Sequence, residues 1–351
     1  RWTFRTKKHR PGPGRAMTDR RFSPIAFEAL CERLTERRDT LLLLHRNPDG
    51  DAVGSAFALR ELLTSLGSRA WCVLENTIPE RLRFPPAPAQ ESVLPAGVPA
   101  DFSDVRVISA DVASPAQLGA LRERFETQTD FMIDHHGTGT PFADFYTDPQ
   151  AAATGEIVFG VIRRLEQQNR AHMTPRMAEL LYAAISSDTG CFRYSNVTPG
   201  THRRAADLVA TGIDCADINH RLFDSKPLGL LRAEAMGVEH LRVSHGGRVA
   251  LIAVSYAERM AAGLEDHDLE TLVDVARSLA GVEVAISLRQ PTEEGIFRAS
   301  VRSSGAFNAS ALCAGFGGGG HEKAAGCTVY APDIENAAAM LLGAIDFSAA
   351  N

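Results

Sequence analysis

Apolar positions fall into short unbroken runs separated by longer stretches of helical spacing. Residues 22–39 carry Phe22, Ile25, Phe27, Leu30 and Leu34 at helical intervals, and 40–44 follow as a fully apolar strand. Such strands are typical of parallel sheets covered on both faces by helices. Residues 51–66 return to helical period and end at Gly67, as glycine commonly ends a helix. Further strands are expected at 70–74, 105–110 and 131–133, with a helical stretch near 115–125, while the proline-rich 84–100 reads as a loop. This alternation predicts an α/β fold with a doubly wound, mainly parallel sheet.

From 151 to 236 the pattern is mostly helical, with the better segments at 155–169, 174–187, 200–211 and 227–240. The texture changes at 241. Strands are expected at 241–243, 249–254, 282–288 and 297–301, with His245-Gly246-Gly247 as a hairpin turn and helices near 266–279 and 307–314. The chain is thereby divided into an extension over 1–21, expected to be disordered, a doubly wound domain over 22–221, a helical linker over 222–242 and a smaller α/β domain over 243–346.

A length of 351 residues fits two domains, and 44% apolar residues suffice for sizeable cores. The net charge of −6 excludes a cationic coat for duplex nucleic acid. The first 21 residues hold eight Arg/Lys and one Asp, so the rest of the chain carries about −13. A body this acidic needs metal ions or a local basic pocket to handle phosphates. Met17 is a plausible start, with 1–16 as leader or fusion sequence; these residues lack the apolar core of a secretory signal. No apolar run approaches the length that spans a bilayer. Six scattered cysteines without a CxxC pair suggest thiols in a reducing cytoplasm.

Candidate chemistry gathers at element ends. His45-Arg46-Asn47-Pro48-Asp49-Gly50-Asp51 lies between a buried strand and a helix, at the edge of a doubly wound sheet where ligands bind. Asp111 follows the strand 105–110, Asp134-His135-His136-Gly137 follows 131–133, and Asp188 sits in Ser186-Ser187-Asp188-Thr189-Gly190 after an apolar helix. Each alone has a plainer reading; Asp51, for instance, suits the N-cap of helix 52–66. Together they offer His45, Asp49, Asp51, Asp111, His135 and Asp188. Imidazoles mixed with carboxylates suit Mn, Fe, Co or Zn better than Ca. Six such groups serve two ions if one carboxylate bridges, and ion pairs about 3.5–4 Å apart are the usual apparatus of phosphoester hydrolysis.

The HxxxDxD run, the lone aspartate after the next strand, the DHH triplet and the SSDTG segment, in this order, resemble the DHH phosphoesterase superfamily. Gly317-Gly318-Gly319-Gly320-His321 resembles the GGGH segment of its DHHA1 substrate-binding domain. Size and layout are most similar to the bifunctional oligoribonuclease/pAp phosphatase (nanoRNase) group, over residues 22–345. The resemblance implies two divalent ions, with Mn2+ expected. His45, Asp49 and Asp111 would hold one; Asp51, Asp111, His135 and Asp188 the other. It gives Asp134 the task of orienting the imidazoles, and places His136 opposite the scissile phosphate as donor or general acid.

In the second domain, consecutive glycines Gly318, Gly319 and Gly320 would let backbone N–H groups form an anion nest, with His321 as a side-chain donor. Arg302 and Ser303 match the family's Arg-Ser pair, and a guanidinium fork suits a terminal phosphate. Arg289 is a weaker candidate, and Phe316 the best-placed ring for stacking a base. A cleft between two hinged domains would let one hold the nucleotide and the other hydrolyse it.

The expected function is hydrolysis of short oligoribonucleotides and of 3'-phosphoadenosine 5'-phosphate (pAp). A cyclic- or linear-dinucleotide phosphodiesterase would share every catalytic residue. A pyrophosphatase is disfavoured by the GGGH segment. A non-catalytic nucleotide-binding regulator is disfavoured by the intact ligand set. Short RNA or nucleotides are the expected partners, with no membrane and no long duplex nucleic acid. Homodimers are common for such chains, but no interface is legible.

Overall fold

The computed structural model describes residues 22–83, 91–93 and 101–347. The extension over 1–21 lies outside the described residues. The described residues divide into two compact units, with the boundary between Ser225 and Lys226.

The first unit starts with α1 (Phe27–Thr35), β1 (Thr40–Leu43), α2 (Gly50–Ser65) and β2 (Ala70–Leu74). A short β3 (Glu91–Val93) follows, then β4 (Arg106–Ala110), α3 (Leu121–Phe125), β5 (Phe131–Asp134) and β6 (Asp144–Thr147). The helices α4 (Thr154–Gln167), α5 (Pro175–Asp188), α6 (Pro199–Val209) and α7 (Cys215–Asn219) complete it. The described strands form one parallel sheet in the order β3-β2-β1-β4-β5-β6. Strand β3 lies within the stretch read as a loop. Strand β6 escapes the pattern because Asp-Phe-Tyr-Thr is half-buried and has no apolar run.

Both faces of this sheet are buried, as unbroken apolar strands require. Leu42, Leu44, Cys72, Leu74, Ile108 and Ile133 pack with Leu59, Val158 and Leu181 of α2, α4 and α5. The alternate residues Leu41, Leu43, Val73, Val107 and Met132 pack with Leu118, Leu121, Phe125 and Phe142 on the opposite side. The chain runs outward from β1 to β3 and then returns to β4 beside β1. The topological switch point therefore lies between the carboxyl ends of β1 and β4.

The second unit begins with α8 (Leu228–Glu239), within the stretch expected as a helical linker, whose Ala233 is buried in this unit's core. It continues through β7 (Leu241–Ser244), β8 (Val249–Val254), α9 (Tyr256–Ala261), α10 (Leu272–Arg277), β9 (Val284–Arg289) and β10 (Ile296–Ser303). It ends with α11 (Ala309–Ala314), β11 (Gly319–His321), β12 (Ala324–Tyr330) and α12 (Ile334–Gly343). Its sheet has the order β11-β12-β10-β9-β8-β7; β8 and β9 are parallel and the other pairs antiparallel. The α9, α12, β11 and β12 segments are absent from the sequence reading.

One helix contact sets up the site. A Cβ on Gly54 of α2 would lie 2.3 Å from the Leu180 carbonyl oxygen and 2.8 Å from Ala184 Cβ of α5, and one on Gly50 would lie 2.5 Å from Ser187 Cβ. Only glycine allows α2 and α5 to approach this closely, which brings the start of α2 to the end of α5. Gly54→Val is expected to destabilise the protein by about 1–3 kcal/mol or more and to weaken divalent-ion binding. Urea unfolding together with metal titration checks this; unchanged values for both would contradict it.

Candidate metal centre

Each candidate ligand is placed by a strand or helix end. His45 follows β1, and its Nδ1 donates to the Arg46 carbonyl at 2.9 Å. That bond turns Nε2 towards Asp49 Oδ1 and Asp111 Oδ2, both at 3.7 Å. Asp49 is the N-cap of α2, accepting from the backbone N–H groups of Asp51 and Ala52 at 3.1 and 3.0 Å. The cap expected of Asp51 therefore belongs to Asp49, and Asp51 is left to turn inward.

Asp51 is fully buried. Its Oδ1 accepts from Ser55 Oγ at 2.6 Å and the Gly155 N–H at 2.9 Å, and its Oδ2 from the Thr154 N–H at 2.6 Å. Asp111 follows β4 with a left-handed backbone, φ 61°. A non-glycine residue in that region is strained, and such strain clusters at functional sites. Its Oδ2 faces His45, while its Oδ1 lies 3.8 Å from His135 Nε2.

His135 follows β5. Its Nδ1 donates to the Ala151 carbonyl at 3.1 Å, which turns Nε2 into the cluster. That buried atom lies 3.1 Å from Asp188 Oδ2 and 3.8 Å from Asp51 Oδ2. Asp188 ends α5. Asp134 accepts from His136 Nδ1 at 2.8 Å, but the His135 ring is held by Ala151 instead. Asp134 thus orients one of the two imidazoles it was expected to orient.

Three overlapping groups have ligand atoms within 4.8 Å of one another: His45/Asp49/Asp111, Asp51/His135/Asp188 and Asp111/His135/His136. The structure thus brings all six sequence-derived candidate ligands to one centre, with one Asp111 oxygen facing each half. The donor set fits divalent cations. It joins carboxylates to imidazole nitrogens whose other nitrogen is already hydrogen-bonded, a typical support for metal-bound histidine. The buried His135 Nε2 faces oxygens of Asp51, Asp111 and Asp188 at 3.1–3.8 Å, a mixed nitrogen and carboxylate set that a cation would bind.

Electrostatics point the same way. Burial pushes the Asp51 carboxyl up to about 8, with the neighbouring Asp111 charge adding to the effect. Burial and neighbouring aspartates lift Asp111 and Asp188 to about 7. Burial disfavours charge on the imidazoles, but the carboxylates outweigh it, raising His45 to about 9 and His135 to about 10. His136 is raised first by its hydrogen bond to Asp134.

The second unit gives a mixed result for the phosphate-binding candidates. Arg302 is half-buried on β10, donates to the Val301 carbonyl at 3.2 Å and has no ion pair among the described residues. Ser303 Oγ is committed to the Phe307 carbonyl at 2.9 Å. Gly319 and Gly320 belong to the edge strand β11, paired with Gly326 and Ala325 of β12, so the glycine run is partly a strand. A Cβ on Gly318 would lie 2.2 Å from the Gly326 carbonyl oxygen, so close strand packing already demands glycine there. The side chain of His321 lies outside the described part of the structure. Arg289 is engaged by Asp266 and Glu270, each at 3.3 Å, and Phe316 packs on the core.

Sequence reasoning missed the supports of the centre. These are Ser55, the Ala151 carbonyl, Thr154, and Asn196, whose amide donates to the carbonyls of Ala152 and Asp188. The Ser and Thr side chains carried no distinguishing pattern. The start of α4 was the available clue, since Ala153 at its N-cap makes no side-chain cap bond.

Comparison with known proteins places the chain in a family. Residues 39–185 match the DHH family, N-terminal domain, and 250–346 match the DHHA1 domain. The chain is 32% identical to the bifunctional oligoribonuclease and PAP phosphatase NrnA of Thermus thermophilus, covering 86% of this chain and 87% of that protein. It is 25% identical to the cyclic-di-AMP phosphodiesterase GdpP of Geobacillus thermodenitrificans over 85% of this chain and 45% of the other. A crystal structure of an exopolyphosphatase-related protein from Bacteroides fragilis shares the fold, with a TM-score of 0.80 and 23% identity over 91% of this chain and 94% of that one.

The raised pKa values predict how the metal-free protein responds to pH. Carboxyls lifted from 3.8 to about 7 or 8 in the folded state make folding less favourable as pH rises through that interval. Imidazoles lifted from 6.5 to about 9 and 10 contribute stability that is lost as pH rises through those values. Both effects have the same sign. Thermal melts in chelator are expected to show Tm falling between about pH 5 and about pH 9, with added Mn2+ restoring it. A Tm that rises with pH over this range would contradict the reading.

Proposed function

The chain belongs to the DHH family and carries a DHHA1 domain behind its DHH module; from this we propose that it is a divalent-metal phosphoesterase that hydrolyses short oligoribonucleotides and removes the 3'-phosphate of pAp. The observation that carries the proposal is Asp111, whose two carboxylate oxygens face two separate ligand groups. His45, Asp49 and Asp111 would hold one ion, and Asp51, Asp111, His135 and Asp188 the other. Ions so bound supply Lewis-acid stabilisation of phosphoryl charge and a lowered pKa for water. Mn2+ is the ion proposed, because nitrogen and carboxylate donors are mixed.

The chain's own groups do the rest. Asp134 holds His136 through Nδ1 and favours its protonated form, so His136 would donate to the phosphate or to the departing oxygen. Ala151 and Arg46 fix the two metal-facing rings through their carbonyls. In the DHHA1 unit, Arg302 would meet a terminal phosphate with its fork, assisted by the segment Gly318, Gly319, Gly320 and His321, and Ser303 would join it by releasing the Phe307 carbonyl. The acidic chain and the small number of candidate phosphate ligands favour short substrates over long duplexes. The described helices include none long and apolar enough to cross a membrane, and a cytoplasmic setting is proposed from the scattered cysteines.

The test is product analysis with pAp, RNA of two to five nucleotides and a cyclic dinucleotide, each with Mn2+ and then with chelator. Phosphate from pAp and mononucleotides from RNA are expected, both abolished by chelation, and Asp111→Asn is expected to cost more than about 100-fold in kcat. Cleavage of the cyclic dinucleotide alone would favour the dinucleotide phosphodiesterase reading. Tight nucleotide binding without turnover would favour a regulator. Arg302→Lys is expected to raise KM by about tenfold at unchanged metal content; a loss of bound metal would contradict its assignment to the phosphate.

A further inference from the structure

The residues before and within the first turn of α4 make four hydrogen bonds to the centre and a fifth to Asn196 beside it. The Ala151 carbonyl holds the His135 ring. The Ala152 carbonyl shares the Asn196 amide with the carbonyl of Asp188. The N–H groups of Thr154 and Gly155 bind the two oxygens of Asp51, and the Thr154 hydroxyl donates to Asp111 Oδ1 at 3.0 Å. Thr154 is fully buried, as is Asp51, and Asp111 is nearly so.

Thr154 is thus the one residue in this segment that holds both Asp51 and the shared Asp111. Its main chain grips Asp51 and its side chain grips Asp111. The arrangement does not serve the helix alone, because a buried threonine at this position needs only a local backbone acceptor for its hydroxyl. The hydroxyl instead crosses to β4 and fixes the oxygen of Asp111 that faces His135, leaving Oδ2 directed at His45. A second carboxylate, Glu156 Oε2, accepts from the Ala152 N–H at 3.2 Å and closes the turn that presents Thr154.

We propose that Thr154 is a positioning residue for a two-ion centre: it locks the rotation of the Asp111 carboxylate and its spacing from Asp51, so that one aspartate serves both ions. The inference rests on the metal-centre reading above. Without the hydroxyl, Asp111 is free to turn both oxygens towards one half, and the second ion loses a ligand.

The experiment is calorimetric titration of the metal-free, full-length protein with Mn2+, paired with electron paramagnetic resonance of the loaded samples. Wild type is expected to take two ions and show the spectrum of a coupled Mn(II) pair. Thr154→Val is expected to weaken the second binding event by about tenfold to 100-fold and to lose the coupled spectrum. Thr154→Ser, which keeps the hydroxyl, is expected to behave as wild type. If Thr154→Val does not fold, as judged by circular dichroism, Thr154→Ala supplies the same comparison. Two ions bound as tightly and coupled as strongly in the hydroxyl-free variant would overturn the inference alone. A wild type that takes up no ion would overturn the metal-centre reading and this inference with it.

Discussion

Buried and half-buried carboxylates share one small volume, and the first unit is organised around tolerating them. Asp51, Asp111 and Asp188 belong to overlapping groups whose ligand atoms lie within 4.8 Å of one another. At that spacing two like charges repel by about 3–4 kcal/mol even at an effective dielectric of about 20. Desolvation adds to the cost unless each charge is paired or hydrogen-bonded. The protein answers with a helix N-terminus aimed at Asp51, hydroxyls from Ser55 and Thr154, and two imidazoles that gain protons from the cluster. These devices ease the repulsion without removing it, and divalent cations would complete the balance.

The sheet supplies the address. Strand order reverses between β1 and β4, so the chain leaves the sheet there and opens a crevice. His45 and Asp111 follow these two strands, and His135 follows the next one outward. The close contact of Gly50 and Gly54 with α5 then brings Asp49 and Asp51 to Asp188. Packing against small residues thereby does what loop residues alone could not, holding ligands separated by more than 130 positions in one rigid arrangement.

Much of this was legible in the sequence, for a physical reason. Fully apolar runs of four or five residues admit few environments other than a covered parallel strand, and acids or histidines at several such strand ends have no common stabilising role. The ligands were therefore visible as a set, although Asp51 alone looked like a helix cap. Their supports were not visible, because a threonine or a backbone carbonyl that contacts a distant carboxylate leaves no periodic trace. The glycine run was ambiguous for a related reason. Glycine permits both an anion nest and flush packing against a neighbouring strand, and Gly318 is required by the second whatever it does for the first. Half-buried β6 and the small, alanine-rich α12 lay below what hydrophobic pattern alone could resolve.

The central claim is that one carboxylate joins two cation sites. Anomalous diffraction from crystals of the full-length protein soaked in Mn2+ measures it most directly. The account predicts two peaks about 3.5–4 Å apart flanking Asp111, one beside His45 and Asp49 and the other beside Asp51, His135 and Asp188. A single peak not in contact with Asp111, or no peak at saturating Mn2+, would contradict it.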